Sequence, residues 1–179
     1  MKILVFFLSV FLLTTSFVNY NYSVNSNDRD STIQLPLAGN TWAQNAPARS
    51  RIITNAGIEG WTNKNVQFDT YLRVNQTGSL KIKVRAKTEG QSQLQLTING
   101  KKRSVTLNSQ EFQWQDAGEW EIKDTGYIKI TLAGLSKTGE RFADVSNYEI
   151  SGTAVSRKTA FVKNNEGNFY YWGRRGPSV

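Results

Sequence analysis

The stretch Ser79-Leu80-Lys81-Ile82-Lys83-Val84-Arg85-Ala86-Lys87 decides the fold of this chain. Apolar and basic side chains alternate along it, and successive side chains of a β-strand point to opposite faces of a sheet. The stretch therefore predicts a strand with one buried face and one solvated face. A helix does not fit, because a period of two scatters the apolar residues around a helical surface.

The same period of two recurs on both sides of this stretch. Leu94, Leu96 and Ile98 alternate with polar residues, and Asn99-Gly100 follows as a hairpin signal, because both turn positions require a positive φ. We expect the return strand to carry Val105 and Leu107. Asp116-Ala117-Gly118 predicts a second turn between two short strands. The remaining predicted strands are residues 66–74, 112–115, 119–122, 127–132 and 145–150.

The chain as a whole predicts an all-β fold. No segment after residue 31 has a sustained helical stripe, and glycines punctuate the gaps between the predicted strands. Short strands with glycine-rich turns are typical of a β-sandwich or jelly roll. Two long connections, 40–65 and 133–144, interrupt the rhythm. Long loops on a rigid sandwich are where binding residues usually lie.

The beginning of the chain predicts export. Lys2 precedes an apolar run over residues 3–13, and small polar residues follow, which is the pattern of a secretory signal peptide. A membrane anchor is the alternative, but it needs about 20 apolar residues. We therefore expect a signal peptide at 1–18, a polar linker at 19–31 and one sandwich domain at 32–155. The expected location is secreted, periplasmic or cell-surface, without stable insertion in a membrane.

The composition removes most catalytic chemistry. The sequence contains no histidine and no cysteine, so the commonest general base and the usual zinc and copper ligands are absent. A glycosidase with paired carboxylates remains as an alternative, because two acidic side chains suffice for that reaction. Its candidates are Glu59, Asp69, Glu140 and Asp144. Acidic residues in loops are usually solvated or cap turns, so we expect no enzymatic activity.

No cofactor is expected. Calcium is the one metal that the composition leaves open, because it takes carboxylate and carbonyl oxygens and needs no histidine. Asp144, at the boundary between a loop and a strand, is the best single candidate for a ligand. The sequence lacks an acidic cluster like that of an EF-hand loop.

The formal net charge of +8 bears on the partner. A basic surface attracts polyanions, and for an exported protein an acidic glycan is a better candidate than nucleic acid. The alternative is a solvated surface with surplus lysine. The basic side chains of residues 81–87 have two corresponding interpretations. In the first they line a groove for an acidic polymer, and in the second they form a solvent-exposed face that resists edge-to-edge aggregation.

The tryptophans suggest a binding site. An exposed indole offers a large flat apolar area on which a sugar ring can pack. Trp61, inside the first long connection, is predicted to be exposed and to form such a platform. Arg51, Asn55, Arg141 and Asp144 are the predicted polar groups around it. Trp114 and Trp120 flank the second predicted turn and are expected to stack across it.

Three stretches of the chain carry a resemblance to a known family. Together they resemble the bacterial extracellular family called domain of unknown function 5077, over residues 32–152. The resemblance implies a galactose-binding-like jelly roll, as in carbohydrate-binding modules, and implies no activity. The tail 156–179, and 169–179 above all, resembles the opening of a second domain of unknown function, 3472. The stretches are Ile33-Gln34-Leu35-Pro36-Leu37-Ala38-Gly39-Asn40, then Gly60-Trp61-Thr62 with Thr70-Tyr71-Leu72-Arg73-Val74, and Gly134-Leu135-Ser136-Lys137-Thr138-Gly139 with Phe142-Ala143-Asp144-Val145-Ser146.

We hypothesise that the protein is a secreted, non-catalytic carbohydrate-binding module. Its partner would be a polysaccharide, and an acidic polysaccharide is one candidate. The alternative from another class is a structural or docking domain that packs on a second domain of the same protein. A paired-carboxylate glycosidase is the third hypothesis. Release of reducing sugar would distinguish the glycosidase from the non-catalytic binding module. Burial of Trp61 by a partner domain would favour the docking domain.

Overall fold

The computed structural model describes residues 31–161, and all the regular structure in this range is β-strand. No helix in the range is long and apolar enough to cross a membrane. The predicted signal peptide, the linker up to residue 30 and the tail from residue 162 lie outside the described residues. The strands are β1 (Ile33–Pro36), β2 (Thr41–Gln44), β3 (Ile53–Thr54), β4 (Gly57–Ile58), β5 (Gln67–Val74), β6 (Gly78–Lys87), β7 (Ser92–Ile98), β8 (Lys101–Leu107), β9 (Gln113–Ile122), β10 (Gly126–Lys137), β11 (Asp144–Ser151) and β12 (Ala160–Phe161).

The strands form two antiparallel sheets of six strands each. The first, called the β6 sheet, has the order β3-β4-β11-β6-β9, with β1 also paired to β11. The second, called the β5 sheet, has the order β12-β5-β10-β7-β8, with β2 also paired to β5. The prediction of an all-β sandwich of the jelly-roll type is confirmed.

The core lies between the two sheets and follows the predicted alternation. Leu80, Ile82 and Val84 of β6 are at most 1% exposed, whereas Lys81 and Lys83 between them are exposed. Burying each such aliphatic side chain contributes about 1.5–3 kcal/mol. One face of each sheet is thus apolar and meets the other sheet, and the opposite face remains available to solvent.

The hairpin between β7 and β8 forms as predicted. Asn99 and Gly100 have φ angles of 49° and 76°, and Ile98 pairs with Lys101 across the turn. Both central residues therefore occupy the left-handed region, which matches the twist of the flanking strands.

The turn predicted at Asp116-Ala117-Gly118 is wrong. Residues 113–122 form one strand, β9, which pairs with β6 along its whole length and contains a bulge opposite Ile82 and Lys83. The Asp116 carboxylate accepts a hydrogen bond from the amide of Gly118 (2.7 Å), and Gly118 has a φ of 113°. Turn-forming residues therefore serve a β-bulge here, since a bulge also needs a positive φ and a local polar contact.

The bulge does not let Trp114 and Trp120 stack on each other. Trp120 pairs with Leu80 on the inner face, is 1% exposed, and donates from Nε1 to the carbonyl of Lys101 (2.9 Å). Trp114 pairs with Arg85 on the outer face and is half-buried. The predicted stacking is wrong because the two indoles lie on opposite faces of the sheet.

Both long connections contain more regular structure than the sequence predicts. Residues 40–65 include β2, β3 and β4, and β10 continues to Lys137, so that only residues 138–143 connect it to β11. The short strands lack room for a visible alternation. Their place in the fold depends on pairing with the longer strands β5 and β11.

Candidate functional site

Trp61 is a buried anchor at one end of the core. Its side chain is 1% exposed and lies edge-on to Phe68, with ring centres 4.9 Å apart and an interplanar angle of 82°. The Phe142 ring packs against it at 4.9 Å and 36°. The indole Nε1 donates a hydrogen bond to the carbonyl of Asn63 (2.9 Å). The expectation that Trp61 is exposed is wrong, because an indole next to two phenyl rings is most stable when its large apolar area is covered.

The two connections meet at this anchor. The amide of Phe142 donates to the carbonyl of Trp61 (2.7 Å), and the amide of Gly60 donates to Oδ1 of Asp144 (3.1 Å). These bonds join residues 60–61 to residues 142–144 across the end of the sandwich. The buried indole therefore fixes the position of the loop that carries Arg141 and Asp144.

A cleft of about 300 Å³ opens beside this junction and is called here the loop-end cleft. The residues around it come from the end of β6, from the connections β6–β7 and β8–β9, and from the segment before β11. Its lining is polar, with cations, carboxylates, an amide and a hydroxyl. The lining residues are Lys87, Thr88, Glu89, Gln110, Arg141, Ala143 and Asp144.

The charges of the loop-end cleft form two ion pairs. Arg141 Nε lies 3.5 Å from Glu89 Oε1, with both side chains about half exposed, and Lys87 Nζ lies 3.7 Å from Asp144 Oδ2. An ion pair as exposed as that of Arg141 and Glu89 contributes about 0–1 kcal/mol to stability, whereas the Asp144 side chain of the second pair is 13% exposed. Arg141 and Glu89 can therefore exchange each other for the polar groups of a ligand at little cost.

Thr88 carries the one polar atom of the loop-end cleft that is buried without a hydrogen-bond partner in the described part of the chain. Its side chain is 5% exposed, and Oγ1 makes no hydrogen bond, although the backbone amide donates to the carbonyl of Ser109 (2.7 Å). An unpaired buried hydroxyl costs about 1–3 kcal/mol. Because Thr88 lines the cleft, a ligand that reaches this covered oxygen would remove that cost. Thr88 could not be predicted as a site residue, since nothing in the local sequence marks a hydroxyl as unpaired.

The five predicted site residues do not form a single site. Arg141 and Asp144 share the loop-end cleft. Arg51 lines a second, larger cleft of about 620 Å³ beside Trp42, and Asn55 lies in the turn between β3 and β4 and lines neither cleft. Trp61 is buried beneath the junction of the two connections. Two of the five predicted residues thus line the loop-end cleft, whereas Trp61, predicted to be exposed, is buried below it, and Arg51 and Asn55 lie elsewhere.

Two of the predicted carboxylate candidates, Asp69 and Asp144, lie in different sheets. Asp69 is 6% exposed, accepts a hydrogen bond from Thr131 (2.6 Å) and belongs to the β5 sheet. Asp144 belongs to the β6 sheet, and Glu59 accepts a hydrogen bond from Thr54 (2.6 Å). Asp69 and Asp144 lie on the outer faces of different sheets, so these two carboxylates do not flank one bond of a bound sugar.

The donor set at Asp144 does not suit calcium. Its two carboxylate oxygens contact the amide of Gly60 and the ammonium group of Lys87, which are hydrogen-bond donors rather than oxygen ligands. Among residues 31–161 no three acidic side chains come together in a way that could hold a metal ion. Calcium prefers six to eight oxygen ligands, so these residues do not fit it.

Two antiparallel sheets with a polar cleft built by the loops at one end define the chain as a jelly-roll β-sandwich protein. Within that class it belongs to the family described as Domain of unknown function (DUF5077), whose model matches residues 35–155. The resemblance seen in the sequence is thereby confirmed for this family. Among curated proteins, none matches the sequence.

Solved structures share the fold at low sequence identity. The CBM35 module of Cellvibrio japonicus Abf62 is similar with a TM-score of 0.52 and 14% identity, over 75% of this chain and 100% of that one. The GH26-CBM35 β-(1,4)-mannanase of Podospora anserina gives 0.53 and 13%, over 73% of this chain but 29% of the mannanase. The insecticidal crystal protein Cry2Aa gives 0.56 and 18%, over 69% of this chain and 22% of that chain. Because CBM35 modules and part of an insecticidal crystal protein share this fold, function has to be argued from the site.

Proposed function

We propose that this chain is an exported, non-catalytic carbohydrate-binding module that binds its ligand in the loop-end cleft. The observation that carries the proposal is the buried, unpaired hydroxyl of Thr88 in a cleft lined by Arg141 and Asp144. The likeness of the fold to a CBM35 module supports it. The apolar run near the amino terminus supports export through a signal peptide at residues 1–18.

The chemistry of the loop-end cleft suits a polyhydroxylated ligand. A sugar hydroxyl both donates and accepts, so it suits a lining that contains a hydroxyl, Thr88, and an amide, Gln110. Arg141 and Glu89 are close enough to each other to contact neighbouring hydroxyls of one ring, because their charged groups lie 3.5 Å apart. Sites of this kind gain their specificity from a few polar groups placed by a rigid scaffold.

The partner that we propose is a polysaccharide, and the net charge of +8 favours one that carries acidic sugars. In this proposal Trp61 contacts no ligand. It positions the segment 142–144 from below, through its rings and its carbonyl. The proposed binding residues are therefore Thr88, Glu89, Gln110, Arg141 and Asp144.

Affinity electrophoresis of the protein in gels that contain single polysaccharides tests the proposal. We expect retardation by at least one polysaccharide, and we expect Arg141→Ala to weaken it by about 10-fold, the usual loss when a charged hydrogen bond is removed. Arg157→Ala is the matched control, since Arg157 is exposed and lies beyond β11, at the opposite end of the sandwich. A protein that no polysaccharide retards would refute sugar binding and favour the role of a docking domain.

Release of reducing sugar from the bound polysaccharide provides the second measurement. We expect none, because Asp144 is paired with Lys87 and with a backbone amide. Measurable release that Asp144→Asn abolishes would contradict the non-catalytic part of the proposal.

A further inference from the structure

Four basic side chains, Lys81, Lys83, Arg85 and Lys87, project from β6 on the outer face of the β6 sheet. Their neighbours on β9 and β11 divide this face into two halves of different character. The division follows from the register of the strands, because directly opposed residues share a face.

The half around Lys81 and Lys83 is electrically balanced. Lys83 Nζ donates to Glu149 Oε1 at 2.9 Å, and this hydrogen bond and charge raise the pKa of Lys83. Asp116 opposes Lys83 from β9, and Glu119 opposes Lys81. Each lysine here faces a carboxylate, so this half is an ordinary solvated surface of a sheet.

The half around Arg85 is not balanced. Its cross-strand neighbours are Trp114 on β9 and Asn147 on β11, and neither carries a charge. Nη1 of Arg85 donates to the Ser146 hydroxyl at 3.3 Å. Within residues 31–161 Arg85 makes no ion pair, although it is half-buried and a guanidinium stays charged under all ordinary conditions.

Two aromatic rings border this guanidinium. The Arg85 guanidinium carbon lies 5.0 Å from the centre of the Phe112 ring, and Trp114 lies directly across the strand pair. Lys87 Nζ lies 5.1 Å from the centre of the same Phe112 ring and also lines the loop-end cleft. The aromatic rings and the guanidinium thus continue the surface of the loop-end cleft along the outer face of the sheet.

We propose that Arg85, Phe112 and Trp114 form a second subsite that recognises the carboxylate of a uronic acid residue in an acidic polysaccharide. The planar guanidinium matches a carboxylate through two parallel hydrogen bonds. The Phe112 ring holds the guanidinium in place, and the half-buried Trp114 ring offers apolar area for the face of the sugar ring. This inference rests on the proposed function, since it extends the binding surface of the loop-end cleft and names the sugar class.

Binding of the full chain to three polymers tests the subsite. The polymers are polygalacturonate, the same polymer with its carboxyl groups reduced to alcohols, and dextran sulfate. We expect polygalacturonate to bind about 10-fold more tightly than its reduced form. Arg85→Gln should remove this preference, and Arg85→Lys should retain part of it, because lysine keeps the charge but loses the planar fork.

Lys83→Gln is the matched control on the same face, and we expect it to change affinity by about twofold or less, since Lys83 is exposed and already paired. Trp114→Ala should weaken binding of both the acidic and the reduced polymer, because it removes the ring contact and not the charge. Thermal denaturation of each variant shows whether the fold is retained.

Three outcomes overturn the inference. Equal binding of polygalacturonate and its reduced form, unaffected by Arg85→Gln, removes the subsite but leaves sugar binding in the loop-end cleft intact. Dextran sulfate that binds as tightly as polygalacturonate, with the same dependence on Arg85, removes the assignment to a carboxylate. Failure to bind any of these polymers or any neutral polysaccharide overturns the proposed function as well.

Discussion

Phe142 and Trp61 are joined twice: their rings lie 4.9 Å apart, and the amide of Phe142 donates to the carbonyl of Trp61 at 2.7 Å. The two residues are far apart in the sequence and belong to different connections. Their contact holds the two connections together at the end of the sandwich. The tryptophan that the sequence marks as a binding platform is therefore a structural support for the residues beside it.

Trp61→Ala should lower the free energy of unfolding by about 3–5 kcal/mol, the usual cost of truncating a buried aromatic residue. Urea denaturation measures this loss. Trp114→Ala is the control and should cost less, because Trp114 is half-buried on the outer face. A Trp61→Ala protein with unchanged stability and lost sugar binding would contradict the support role and restore the platform.

Thr88→Val should leave stability unchanged or raise it by up to about 1 kcal/mol, because the hydroxyl that it removes has no partner. If sugar binds as proposed, the same change should weaken binding. Thr41→Val is the matched control: the Thr41 hydroxyl is bonded to that of Thr70 (2.8 Å), so its removal should cost about 1–2 kcal/mol. A clear loss of stability in Thr88→Val would show that the hydroxyl has a partner.

The strands that were predictable are those in which the alternation is long. Local sequence alone predicts the strand at residues 79–87, through its period of two, and the hairpin at Asn99-Gly100, through its turn residues. Asp116 and Gly118 show the limit of such signals, since a turn and a bulge require similar backbone conformations. Whether residues 116–118 reverse the chain or bend it depends on the partner strand β6, which the local sequence does not contain.

The site was less predictable than the fold because its features depend on contacts between distant residues. Burial of Trp61 depends on Phe68 and Phe142, and the unpaired state of Thr88 depends on everything that surrounds it. The charge of Arg85 is visible in the sequence, but its lack of a carboxylate neighbour follows only from the register of β9 and β11. Arg141 and Asp144 were predictable because they are polar residues of one connection.

A comparison of Gly57 with Gly126 tests whether the close approach of β4 to β11 requires glycine. Both have a φ of 119°, but a Cβ at Gly57 would lie 2.2 Å from the carbonyl oxygen of Val145, whereas a Cβ at Gly126 would meet open space. Gly57→Ala should therefore cost about 1–3 kcal/mol more than Gly126→Ala, the excess being the clash. Thermal denaturation of the two variants measures the difference. Equal losses would show that only backbone strain matters at Gly57.

The buried Tyr148 should make the free energy of unfolding depend on pH in the alkaline range. Its phenol is fully buried between the sheets, and this burial raises the pKa of Tyr148 above its ordinary value; a hydrogen bond with Thr70 opposes the rise in part, and the charge of Asp69 adds a smaller increase. Above about pH 10 the phenol of the unfolded chain loses its proton while the folded chain retains it. The unfolded state then binds fewer protons, so stability falls as pH rises, by at most about 1.4 kcal/mol per pH unit from this group.

Tyr148→Phe should remove that part of the alkaline loss. At neutral pH the variant should be as stable as the wild type or less stable by about 1 kcal/mol, because it loses the contact between the Tyr148 hydroxyl and the Thr70 side chain. Urea denaturation at about pH 8 and about pH 11 brackets the ordinary pKa of tyrosine and gives the comparison. Tyr127→Phe is the control, since Tyr127 is 50% exposed. We expect this variant to lose stability with rising pH as the wild type does. Lysine titration is common to all three proteins and cancels in the comparison. If Tyr148→Phe loses as much stability at alkaline pH as the wild type does, the buried phenol does not cause the loss.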